Sequence, residues 1–315
     1  MAFLNRLTKP LWPAAAVGLA ADGAALVALD RRRDAFAVRR AGYVPLPAGL
    51  LRPGFDEQNI ADAVELADHL RGLAVSTGLQ KRRRWSVAMP EAATRTAILT
   101  LEGGAASRAE NEEMLRWKTE RTFGAPAEEL RVSRRKLTND AQGRTRYLAS
   151  AARLSVLAEY ESAFAALGWH TGLLLPRHLG EGLWLTRAGG ADDSLLVSTH
   201  AEGFTASLLR GGQFLLVRSV TCDPQDAADE LYRFLLFYRD RVNALDEADG
   251  ATHIGRLFVA GDGLAEQEAT AIIEETLEER PRPLRPEDVR LSLPSAELDF
   301  AQIAAPAGLA ALAFG

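Results

Sequence analysis

The stretch "VGLAADGAALVALD", Val17 to Asp30, has the form of strand, tight turn and strand. Apolar residues fill both arms, and Ala21-Asp22-Gly23 supplies turn chemistry between them. A turn of this kind near the start of a chain often cradles a nucleotide phosphate through its backbone N–H groups. Here, however, the acid inside the turn is Asp22, and no Lys, Ser or Thr stands in the stretch. It is a phosphate loop, a phosphate loop stripped of its chemistry, or a plain hairpin, and the surrounding sequence has to decide.

Working outward, three short apolar runs, Ala14 to Leu19, Ala24 to Leu29 and Ala35 to Val44, are separated by "AADG" and "DRRRD". This predicts an antiparallel meander. A Pro/Gly-rich link, residues 45–54, leads to "FDEQNIADAVELADHLRGLAVSTGL", where Ile60, Val64, Leu66, Leu70 and Leu73 approach helical spacing and Asp56 is the candidate N-cap. "RRWSVAMP" then reads as a buried strand.

The same order recurs downstream. Ser194 to Val220 is a second meander, with a two-glycine hairpin signal in "RGGQ", Arg210 to Gln213. "DPQDAADELYRFLLFYRDRV" opens with helix-start chemistry, and "IGRLFVAGDG", Ile254 to Gly263, supplies the matching strand. Between the halves lie a charged helix, "SRAENEEMLRWKTERTFG", and a strand pair around "TNDAQG"; the helix "LSVLAEYESAFAALGW" follows, with Gly168 near its stop. The reading is an α/β chain with two similar lobes around a shared cleft, the favoured place for a ligand. Residues 1–104 form the first part of one lobe, 105–155 a small inserted subdomain, 156–190 the return and crossover, and 191–315 the second lobe.

Composition narrows the function. A chain of 315 residues with 47% hydrophobic and 25% charged residues is ordinary for a globular protein, and its net charge of -5 argues against general nucleic-acid binding. The lone Cys222 excludes an internal disulfide and any multi-cysteine metal site. Pro10 and Pro13 interrupt "MAFLNRLTKPLWPAAAVGLAA", so neither a signal peptide nor an anchor is expected; Phe3, Leu4 and Leu11 are candidates for touching a partner or membrane, and the expected location is cytoplasmic. His69, His170, His178 and His253 have no paired metal spacing, so no metal site is expected, and His200 reads as a turn residue rather than a catalytic base. "KRRRW", Lys81 to Trp85, is read first as a solvated basic loop and, more sharply, as a contact for anionic lipid or an acidic partner.

The ordered series resembles the PilM family of type IV pilus assembly proteins, relatives of the cell-division protein FtsA. "VGLAADGAALVALD" stands where that family opens with "VGLDIGSSSVKLVEL", and "ENEEMLRWKTERTFGAPAEELRV" matches its acidic helix with an arginine-tryptophan pair. "YLASAARLSVLAEYESAFAALGW", the second meander, "IGRLFVAGDGLAEQ" and "FAQIAAPAGLAALAFG" continue the likeness to the end. It implies an actin-like, ribonuclease H-like duplicated fold with a small inserted subdomain. It also implies a cleft that binds Mg-ATP through an Asp at each lobe's first strand, two hairpin turns and a glycine-rich adenosine loop.

At those positions this sequence departs from the family. Ala20 replaces the first Asp, Asp22 the turn Gly, Ser198 the second Asp and His200 the second turn Gly; Gly23, Gly261 and Gly263 remain. No cofactor is therefore expected, with ATP and Mg²⁺ binding weakened and hydrolysis lost. The resemblance implies a non-catalytic scaffold, peripheral to the inner membrane, holding the cytoplasmic N-terminal peptide of a PilN-like protein in a groove near the inserted subdomain, with Trp117 as the candidate partner-binding residue. The alternatives are an active ATPase or sugar-kinase-like phosphotransferase and the cytoplasmic L-type component of a type II secretion system. A homo-oligomer stays open.

Overall fold

The structure is a computed structural model and describes residues 12–102, 107–140, 142–241, 253–295 and 298–315. Phe3, Leu4 and Leu11, Val242 at the end of the expected helix, and the boundary drawn at 105 lie outside the described residues.

The opening meander is β1 (Ala15–Leu19), β2 (Gly23–Arg32) and β3 (Ala35–Pro45), antiparallel throughout. Helix α1 (Ala63–Ser76) starts later than its apolar spacing predicts. The cap is Asp62, whose Oδ1 accepts from Val64 N at 2.8 Å and Glu65 N at 3.0 Å. Asp56 is instead tied to Arg153 at 2.5 Å and Arg95 at 3.3 Å. The cause is buried Asn59, whose amide donates to the carbonyls of Gly54 and Glu57 and locks this segment as a loop. Ile60 bridges back to Leu51, and Val64 faces solvent.

Strand β4 (Arg84–Met89) runs parallel to β1. Next come β5 (Arg95–Leu101), α2 (Arg108–Phe123), β6 (Leu130–Lys136) and β7 (Thr145–Arg153). Strands β5 and β6 flank β7 in an antiparallel three-stranded sheet, so the small sheet already takes in residues upstream of 105. Helix α3 (Leu154–Ala166) returns the chain to β8 (His170–Pro176), parallel to β4, and α4 (Arg177–Ala188) crosses to the second lobe.

There the order repeats. Strands β9 (Asp193–His200), β10 (Gly203–Arg210) and β11 (Gln213–Thr221) form an antiparallel meander. Its β10–β11 turn has Gly211 and Gly212 at φ 54° and 74°, the left-handed pair that a two-residue turn demands. After α5 (Ala227–Arg241), β12 (Ile254–Ala260) lies parallel to β9, as β4 does to β1. Helix α6 (Glu266–Leu277), β13 (Arg282–Pro283), β14 (Leu291–Ser292) and α7 (Phe300–Ala311) complete the chain. The large sheets are ordered β14-β3-β2-β1-β4-β8 and β11-β10-β9-β12-β13, two copies of one plan.

Helices α4 and α7 lie between these sheets, α4 against β9 and β10, α7 against β1 and β2. Gly180 of α4 and Gly308 of α7 meet backbone to backbone, and a Cβ on either would overlap the other helix. Pro306 of α7 presses on Gly18 of β1, 2.9 Å from where a Cβ would stand. Ala16, Val27, Trp184, Leu196, Phe258, Ile303 and Leu309 close one core shared by both lobes. The outer faces pack separately, against α1 and α3 in the first lobe and α5 and α6 in the second.

Candidate functional site

Three turns converge on a cavity of about 640 Å³ between the lobes. Ala20, Asp22, His200, Gly261 and Gly263 line it, whereas Gly23 and Ser198 do not. In the first turn Ala20 N donates to Gly23 O at 2.9 Å, closing a loop of Ala21 and Asp22. The bare backbone of Gly23 is approached by the phenol of Tyr43 on β3, which a Cβ would strike. Burial pushes that phenol's pKa up, and the charges of Asp22 and Asp262 add to the shift.

The second turn, Ala201 and Glu202, is held by His200, whose Nδ1 accepts from Glu202 N at 3.3 Å. Burial pushes the imidazole down, which leaves it neutral at neutral pH. In the third turn Gly261 has φ 85°, and a Cβ there would stand 2.5 Å from Thr199 O. Thr199 Oγ1 donates to Ala260 O at 3.0 Å and accepts from Gly263 N at 3.0 Å, stitching the second and third turns together.

Beneath the turns lies a buried polar network that sequence reasoning missed. Glu91, in the turn after β4, accepts from His178 N at 2.6 Å, pairs with His178 Nδ1 at 2.7 Å and accepts from Thr205 Oγ1 at 3.1 Å. It thus joins the first lobe, the crossover helix and the second lobe. Burial alone raises a carboxyl pKa, but the charge and hydrogen bonds of His178 outweigh it here and hold Glu91 down at about 2. One turn along α4, Glu181 is fully buried; burial pushes its carboxyl up, Glu91 adds to the rise, and Arg177 at 3.4 Å offsets only part.

Ser198 stands behind the cavity wall facing Glu181, and neither Ser198 Oγ nor Glu181 Oε2 has a partner of good hydrogen-bond geometry. The signal was present in "RHLGEG", Arg177 to Gly182, where three polar side chains open a helix whose next turn carries Trp184 and Leu185 into the core. The wall therefore offers a metal no carboxylate at either strand end, since Ala20 has none, Ser198 is turned inward and Glu91 is committed to His178. The cations on the wall are the guanidinium groups of Arg52 and Arg177.

A second opening lies outside the cleft. Strand β8 is the edge of the six-stranded sheet and β6 the edge of the small one. Together they line a groove of about 380 Å³, with Val132, Ser133, Thr171 and Leu173 on the strands and Leu157 and Glu161 from α3. Edge strands carry unpaired N–H and C=O groups, the template on which an extended peptide adds a strand. Trp117 does not line this groove; it is 55% exposed on α2, with the Arg121 guanidinium 5.2 Å from its ring centre.

Two copies of a meander–helix–strand plan, joined through a helix pair and enclosing three facing turns, have a counterpart among solved structures. The chain superposes on one described as a PilM–PilN type IV pilus biogenesis complex, with a TM-score of 0.73, 19% identity, and coverage of 97% of this chain and 100% of that one. The fold is actin-like.

Weaker likenesses are an actin-like ATPase fold protein of Bacteroides thetaiotaomicron (TM-score 0.45, 12% identity, 95% and 96% covered) and the cytoplasmic domain of EpsL, an inner-membrane component of the Vibrio cholerae type II secretion system (0.47, 11%, 95% and 93%). At those scores neither bears on what this chain does. No family model and no curated protein matches the sequence. Among the described residues no helix is long and apolar enough to cross a membrane.

Proposed function

We propose that this actin-like chain is a non-catalytic assembly scaffold of a type IV pilus or related secretion machine. It captures the short cytoplasmic peptide of a PilN-like inner-membrane protein in the groove between β6 and β8. The observation that carries the reading is the contrast between two sites: the cleft has no metal-ordering acid at Ala20 or Ser198, while two sheet edges still frame an open, part-apolar groove. The likeness along the whole chain to a PilM–PilN complex supports it. Its role is peptide capture by strand addition, with Leu173 and Leu157 offering apolar contact.

Fluorescence anisotropy with the N-terminal peptide of the PilN-like protein from the same genome tests the proposal. Saturable binding is expected, and Ser133→Trp, which fills the groove from an exposed position on β6, weakens it by about tenfold or more. No saturable binding to the folded wild-type chain sinks the reading.

A working phosphotransferase is the second reading, favoured by the cavity's size and by the guanidinium groups of Arg52 and Arg177 on its wall. Nucleotide titration with and without Mg²⁺ separates the two. The scaffold reading expects weak affinity that the metal does not improve, because Ala20 and Ser198, at the two strand ends, carry no carboxylate.

A further inference from the structure

The chain is acidic overall, yet its acids are unevenly spread. No Asp or Glu occurs in residues 1–21, 35–55, 69–90 or 162–180. The described parts of these stretches meet at the end of the first lobe where β1, β4 and β8 begin, and run from there to the cleft, which Ala20, Arg52 and Pro90 line. Arg40 of β3 reaches the turn after α1, its Nε 3.9 Å from where a Cβ on Gly78 would sit. Lys81 to Arg84 follow that turn into β4, all exposed. Arg83 donates to Leu167 O at 3.4 Å beyond the end of α3 and accepts from His170 N at 2.6 Å at the start of β8. Pro13 packs 3.2 Å from where a Cβ on Gly172 would stand, so the chain enters β1 from the same end.

Among the described residues, Arg39, Arg40, Lys81 and Arg82 make no ion pair. Against the cluster stand Asp30, which pairs with Ala37 on the neighbouring strand, and two helix ends, α1 at Thr77 and α3 at Leu167, each about half an elementary negative charge; together these are too small to cancel it. A solvated loop does not need four stretches emptied of acids. Such a face complements a surface of fixed negative charge.

We propose that this basic face, Arg39, Arg40 and Lys81 to Arg84, docks directly on the anionic headgroups of a phospholipid bilayer. The inference stands apart from the peptide reading, but the two are geometrically compatible. Strand β8 runs from the basic face at His170 into the groove at Thr171 to Pro176, so a membrane-tethered peptide lying there would leave beside the lipid.

The test is cosedimentation of the full chain with vesicles of mixed phosphatidylglycerol and phosphatidylcholine, against vesicles of phosphatidylcholine alone. Binding to the mixed vesicles only, weakening as salt rises, is expected. The triple variant Arg40→Gln, Lys81→Gln, Arg82→Gln should lose about fivefold per charge, roughly a hundredfold in all. The double variant Arg280→Gln, Arg282→Gln, at exposed positions of the second lobe, should bind as wild type. Absence of sedimentation, equal binding to neutral vesicles, or equal loss in both variants overturns the proposal. A chain that ignores vesicles but is pulled down by an acidic protein through these same residues also overturns it. Because the peptide titration contains no lipid, either result can fail without the other.

Discussion

Glu91 holds the cleft together at the level of single atoms. Its carboxylate is buried and bound to His178 and Thr205, so replacing it by Gln leaves a buried imidazole without its counter-charge. Breaking a buried pair from one side costs about 3 kcal/mol, and Glu91→Gln is expected to lower unfolding stability in denaturant by that amount at neutral pH. The pH dependence has a definite sign. A carboxyl held down at about 2 contributes stability that is fully present above the ordinary carboxylate range and is lost as pH falls toward about 2. The variant should therefore show a shallower acid limb than wild type, and equal limbs would contradict the role given to Glu91. None of this was legible in the sequence: "MPEAA" places an acid after a strand, but the imidazole it meets is far along the chain. Ala20, Asp22, His200, Gly261 and Gly263 were named from their places in the family's ordered series, and all five line the cavity between the lobes.

Among the elements, the pair α4 and α7 decides how the lobes meet. Gly180 and Gly308 allow the two backbones to touch, and a methyl group at Gly308 would strike Gly180 itself rather than a movable side chain. Overpacking of this kind costs about 1–3 kcal/mol, so Gly308→Ala should lower the unfolding midpoint, whereas Gly72→Ala, at an open position within α1, should not. Calorimetry of the two variants checks this. Helix periodicity and turn signals located most elements, including α2 within the stretch Ser107 to Gly124. They misplaced the start of α1, because Asn59 builds a loop from hydrogen bonds that no apolar spacing encodes. The pairing of β5 with β7 also escaped notice, since sheet partners distant in sequence leave no local mark.

For the whole molecule, duplication was readable as a repeated order of elements, while the shared core was not, because it forms only when α4 and α7 enter between the sheets. That core predicts one cooperative unfolding event. Trp85 and Trp169 report the first lobe and Trp184 the centre, and no tryptophan lies in residues 191–315. Fluorescence and far-ultraviolet circular dichroism should give coincident denaturation midpoints; separated midpoints would mean lobes that melt independently. The stitch made by Thr199 has its own consequence for motion. Because one hydroxyl fastens the second turn to the third, that wall of the cleft moves as a rigid jaw. The first turn, carried on the opposite lobe, stands outside this stitch, so a molecule entering between them meets two linked contacts on one side and a separate one on the other.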